Sequence, residues 1–141
     1  MGDAKKEYRL EFSYDYRGFG DLVLFEDAIR KDALLCRTGS VGHGGELKNA
    51  IPPGEWLILD KSVNTEEPGM SVHVPQDGWK IRLYKKEGKV RTRYLIHPDG
   101  GLGGTLGCIG IQGTNAQAFR FEIDSIKRIQ EQIPVMVAKN G

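Results

Sequence analysis

A two-residue rhythm of apolar and polar side chains runs through most of this chain and leaves few architectures open to it. In EYRLEFSY, Tyr8, Leu10, Phe12 and Tyr14 alternate with Glu7, Arg9, Glu11 and Ser13, the pattern of a strand with one buried face. The turn residues of DYRGFGD come next. DLVLFED (21–27) and DALLCRT (32–38) then read as two more short strands, which predicts an N-terminal antiparallel meander. GSVGHGGELKNAIPP, rich in Gly and Pro, reads as a loop, and GEWLILDKSV resumes as a strand. WKIRLY and KVRTRYLIH flank KKEG as the arms of a hairpin. In the second arm Val90, Thr92, Tyr94 and Ile96 share one face and Arg91, Arg93, Leu95 and His97 the other, with His97 at the strand end.

One helical stripe breaks the rhythm. From about Asn115 to Glu131, Phe119, Ile123, Ile126 and Ile129 fall on one side, and Thr114 or Asn115 is placed to cap the start. PVMVAK closes the chain as a last strand. With no internal repeat and no linker, 141 residues make one domain, long enough to bury about two-thirds of the surface of the unfolded chain. The expected fold is mainly β, a curled sheet or sandwich with the single C-terminal helix covering one end.

Twenty basic against nineteen acidic side chains leave a formal charge of +1, which gives no nucleic-acid footprint and no acidic tail. The start, MGDAKKEYRL, has no apolar signal-peptide core, and no run reaches the roughly 18 apolar residues of a membrane span, so a soluble protein is expected. Lys80, Arg82, Lys85, Lys86, Lys89, Arg91 and Arg93 make the hairpin basic. They could grip an acidic polymer, glycan strands bearing carboxylates or nucleic acid, but read rather as a solvated face, because only Tyr84 and Tyr94 interleave with them and single-stranded nucleic acid needs a stacking platform.

Two cysteines differ in their surroundings. Cys36, in ALLCRTG, suits a buried core position, whereas Cys108, in GGTLGCIGIQG, has neighbours too small to cover a sulfur. Residues 98–113 carry seven glycines, which excludes a regular helix and makes an odd strand. The segment therefore reads as shaped by chemistry. A cysteine acyltransferase needs a thiolate, a base to make it, and donors for the charge that develops on the attacked carbonyl. YLIHPDGGLGGTLGCIGIQG offers all three: His97 ends a strand, the glycines let the chain double back, and Cys108 arrives eleven positions later. The N–H groups of Cys108 and of Gly107 or Leu106 are the expected oxyanion donors.

At these residues the sequence resembles the L,D-transpeptidase catalytic domain, the YkuD-like family. That family carries a histidine after a strand, a variable loop, and a Ser/Thr-x-Gly-Cys element before a branched apolar residue; here these are His97 and Thr105-Leu106-Gly107-Cys108-Ile109. Thr38-Gly39 is similar to its upstream Thr-Gly turn, Pro52-Pro53-Gly54 to its Pro-x-Gly lead-in to a strand, and the helix before IPVMVAK to its ending. The likeness runs from about residue 33 onward and is closest to short, diverged members. It implies acyl transfer on the stem peptides of peptidoglycan through a Cys108 thioester. It also implies a histidine held by a backbone carbonyl, no cofactor, and work in the periplasm or cell envelope by an exported, phage-encoded or effector-delivered chain. A monomer is expected. Thr105 is assigned to the loop or to orienting His97, and Asp99 to a turn.

Two positions depart from the family pattern: Leu106 stands where many members have histidine and Gly110 where they have arginine. Arg91 or Arg93 on the adjacent strand is then the candidate to grip substrate, with Leu106 and the loop residue His43 beside the groove. Transpeptidation and hydrolysis both stay open. The rival readings are an inactive cell-wall-binding module of the same fold and a zinc site built from His43, His73, His97 and Cys108. The zinc site is disfavoured because no two of these residues have the short spacing of zinc ligands. His73, in SVHVP, is expected to fill a half-buried strand position.

Overall fold

The structure, a computed structural model, describes residues 6–66, 70, 78–100 and 105–140, with the backbone alone for Thr105 and Leu106. His73 lies outside the described residues, as do Gly101 to Gly104 of the glycine-rich segment. The described residues form strands β1 (Tyr8–Tyr14), β2 (Phe19–Glu26), β3 (Ile29–Val41), β4 (Leu47–Lys48), β5 (Gly54–Ile58), β6 (Val63–Asn64), β7 (Trp79–Lys85), β8 (Val90–Pro98), β9 (Thr105–Ile111) and β10 (Ile133–Lys139), with one α-helix among them, α1 (Ala116–Lys127), before the last strand.

The curled sheet closes on itself. Eight strands run β1, β2, β3, β9, β8, β7, β5, β10 and back to β1. Closure uses two pairings that alternation cannot reveal: β1 lies parallel to β10, with Leu10 opposite Val135, and β9 is inserted antiparallel against β3. The barrel leaves none of these eight strands with an open edge. β4 and β6 are short additions to β3 and β7.

The inside is filled by the side chains that the alternation marks. Leu10, Phe12, Tyr14, Leu22, Leu24, Ile81, Leu83, Ile96, Ile109 and Ile111 belong to one buried cluster, and Ala116, Phe119, Ile123 and Ile126 of α1 join it. The Phe119 ring lies 6.3 Å from that of Trp79, so the helix is a wall of the core. Truncating Phe119 to alanine should destabilise by about 3–5 kcal/mol. Asp124 accepts from the Ser62 N–H and hydroxyl, and Arg120 donates to the same hydroxyl and to Asn64, fastening the polar side of α1 to the β5–β6 region.

Three local expectations are corrected. Ile129 is 67% exposed, because α1 stops at Lys127 and the helical stripe stops with it. Beyond the helix Gln130 turns inward instead, exchanging hydrogen bonds with the Tyr8 backbone N–H and carbonyl at 2.8 and 2.7 Å. Asn115 stands at the N-cap without a side-chain capping bond. The stretch after Cys36 is a continuation of β3 to Val41 that returns as β4. Thr38-Gly39 accordingly makes a bulge in a long strand rather than a turn. Gly39 has φ +70°, and a Cβ there would lie 2.5 Å from the Lys48 carbonyl oxygen, which only glycine avoids. Thr38, fully buried, accepts the Ile51 N–H at 2.9 Å and ties the bulge to the segment entering β5.

Candidate active site

The last part of the glycine-rich segment, against expectation, is a strand. β9 runs parallel to β8 with Ile96 opposite Ile109, His97 opposite Gly110 and Pro98 opposite Ile111. Ile96, Ile109 and Ile111 point into the barrel core. Alternation therefore turns His97, Gly110 and Cys108 to the outer face. His97 and Cys108 are diagonal neighbours on adjacent strands, a relation that sets Cα atoms about 7–8 Å apart, within reach of two side chains directed the same way. Both are sunken, with 6% and 8% of their surface exposed, which corrects the expectation that small neighbours would leave the Cys108 sulfur uncovered.

Cys108 stands in a bulge. Against β3, Thr105 pairs with Gly39 and Gly110 with Arg37, so five steps of β9 face two of β3. An irregularity of this kind re-aims side chains and withdraws backbone from the ladder. Gly107 is its pivot, with φ +71° and no room for a Cβ, which would lie 2.3 Å from Cε1 of Tyr94. The Tyr94 ring is itself held edge-on by Trp56, centroids 5.1 Å apart. The Gly107 N–H donates to the Asn49 carbonyl at 2.5 Å. That amide is committed to the scaffold, which corrects its expected place among oxyanion donors; Gly107 serves Cys108 by shaping the bulge.

His97 Nδ1 lies 2.6 Å from the Pro98 carbonyl oxygen. A carbonyl only accepts, so Nδ1 carries the proton in that bond, and in the neutral ring Nε2 keeps the lone pair a base requires. Asp99 turns elsewhere. Its carboxylate, 5% exposed, pairs with Arg37 at 2.8 Å and accepts from Gln112, while its N–H donates to the Ile111 carbonyl at 2.9 Å. These bonds fix the chain on the far side of Pro98, the residue whose carbonyl holds the imidazole. Arg37 and Gln112 were missed in the sequence. Their signal was parity, since an inward Cys36 sends Arg37 outward, level with Gly110 and His97.

The remaining candidates are scattered. Arg91 lines a groove on the outer face of β7 and β8. Arg93 is exposed, its guanidinium 5.6 Å from the centre of the Tyr94 ring. His43 is exposed in the connection from β3 to β4, four residues beyond Gly39. The side chains of Thr105 and Leu106 lie outside the described residues. Pro52, Pro53 and Gly54 border a second groove of about 310 Å³ with Trp56 and Tyr94. Among the described residues no three His, Cys, Asp or Glu side chains are grouped to hold a metal ion, and no helix is long and apolar enough to cross a membrane.

The other thiol offers no chemistry. Cys36 is fully buried inside the barrel, and burial pushes its thiol pKa far up, with a bond from the Leu22 backbone opposing only in part. Comparison with protein-family models, with curated proteins and with solved structures finds no match.

Proposed function

We propose that this chain is a cysteine acyltransferase or peptidase acting on the stem peptides of peptidoglycan in the cell envelope, with Cys108 as nucleophile and His97 as base. The observation that carries the reading is a thiol and an imidazole side by side on the outer face of parallel strands, the imidazole held at Nδ1 by the Pro98 carbonyl. Nothing about packing a barrel calls for that pair. The substrate class comes from the resemblance of Thr105 to Ile109, with His97, to the L,D-transpeptidase signature.

In the mechanism, Nε2 of His97 takes the Cys108 proton as sulfur attacks the stem carbonyl. The carbon–nitrogen bond breaks, the departing amine receives that proton, and a thioester remains on Cys108. A second amine, or water, then attacks the thioester, loses a proton to His97 and releases the thiol. The incoming group decides between cross-link and free peptide. With Nδ1 engaged by the Pro98 carbonyl, Nε2 is the ring atom assigned to both proton transfers.

The test incubates purified peptidoglycan with the wild type and with Cys108→Ala and separates the released stem peptides. The wild type should change the stem profile, and the variant should be at least about a thousandfold slower, as loss of a covalent nucleophile predicts. An unchanged profile with the wild type would overturn the reading.

A further inference from the structure

We propose that the basic groove beside Cys108 is a carboxylate-binding subsite, which holds an acidic group of the peptide whose carbonyl is attacked. Its substrate class rests on the acyl-transfer reading; its geometry does not. Arg82 of β7 pairs with Leu95 of β8, and the β8–β9 ladder starts at Ile96 opposite Ile109, so one further step along both strands sets Leu95 beside Cys108. Arg82 and the nucleophile therefore share one row of the outer face, two strand spacings or about 10 Å apart. An extended peptide crosses that distance in about three residues. By the same register Lys80 falls level with His97.

The groove is built for an anion. Among the described residues Lys61, Lys80, Arg82 and Arg91 line it with one carboxylate, Asp60, and Asp60 already accepts the Tyr84 hydroxyl. Among the described residues Lys61, Arg82 and Arg91 form no ion pair. Arg82 carries the argument. It is half-buried, and its Nη1 donates to the Thr92 carbonyl at 2.9 Å, which fixes one edge of the guanidinium and leaves the other donors oriented. A half-buried, pre-oriented guanidinium without a counter-ion is suited to a bidentate carboxylate. The volume, about 250 Å³, is below the roughly 300–1,000 Å³ of whole-ligand pockets. It suits one acidic side chain or chain end of a longer substrate.

Binding is measured by calorimetry on the Cys108→Ala protein, which holds no nucleophile, with a synthetic stem tetrapeptide as the free acid and with its carboxylates amidated. The free acid should bind about tenfold more tightly, the worth of one charge-assisted hydrogen bond, and added salt should weaken that form alone. Arg82→Met in the same background should erase the preference. Arg91→Met, at an exposed position that folding does not need, should reduce it, and Arg17→Met, in the β1–β2 turn, should leave it intact. Equal affinity for the two forms, binding of neither, or a preference that survives both Arg82→Met and Arg91→Met overturns the subsite. Tighter binding of oligothymidylate in competition with the peptide overturns it too, in favour of phosphate. Turnover by the wild type is scored separately. Carboxylate-dependent binding without turnover sinks the acyl-transfer reading and keeps the subsite, whereas turnover with equal binding of both forms does the reverse.

Discussion

Cys36 and Cys108 are both buried thiols on neighbouring strands of one barrel, but they lie on opposite faces of the sheet. Cys36 on β3 pairs with Ile111 of β9 and faces inward with it. Cys108 lies three residues before Ile111, an odd step, and faces outward beside His97. Both lie in strand backbone, but Cys36 is paired on both sides, with Gly20 and Ile111, whereas Cys108 lies in the bulge. What separates an inert core thiol from a candidate nucleophile is one unit of strand parity, together with the bulge that Gly107 imposes just ahead of Cys108. Reactivity here is a matter of face.

The contrast can be broken at several points. The largest expected effect is in alkylation at neutral pH with mass-spectrometric readout. Cys108 should label at least about a hundredfold faster than Cys36, because the thiolate is the reactive form and only Cys108 has an imidazole beside it to take the proton. Replacing His97 with alanine should slow Cys108 about tenfold or more while leaving Cys36 unchanged. Equal labelling of the two thiols in the folded wild type would remove the basis for the comparison.

A smaller effect sharpens the role of the bulge. Gly107→Ala forces a Cβ against the Tyr94 ring at a positive φ, and urea unfolding should show a loss of about 1–3 kcal/mol. If the bulge is what aims Cys108, its alkylation rate should fall in the same variant even where the protein remains folded. Wild-type stability and rate together would show that this glycine shapes nothing.

The smallest effect concerns Cys36 and alkaline pH. Its folded pKa is raised, so above the ordinary thiol value of about 8.5 the folded chain holds a proton that the unfolded chain releases. Stability from this group is complete below pH 8.5 and falls as pH rises, by about 1 kcal/mol per pH unit. Tyr14, whose pKa burial also raises, adds to the loss above about pH 10. Thermal unfolding of the wild type and Cys36→Ala between pH 8 and 10 should show a shallower decline in the variant; identical slopes would mean that Cys36 is ionised normally.

How far the sequence carried the fold depends on the range of each interaction. β1, β2, β7, β8 and β10 were legible because alternation is local, and so was the hairpin ending at His97. Barrel closure was not, since Leu10 meets Val135 and Arg37 meets Gly110 through contacts that no short window contains. β9 was hidden for a different reason: its glycines disguise a strand whose inward residues, Ile109 and Ile111, do alternate. At the site, Cys108 and His97 were recognisable from residue type and motif. Arg37, Gln112 and Arg82 were not, because their meaning depends on which strands stand beside them.

The pairing of β1 with β10 sets an order of events for a growing chain. Every residue of the candidate site is made before Ile133, yet β1 and β5 stay exposed as sticky edges until the final strand slides between them. Long-range closure of this sort is slow and open to aggregation. A ribosome halted after α1 would therefore carry the nucleophile and the base without the hoop that holds them in place.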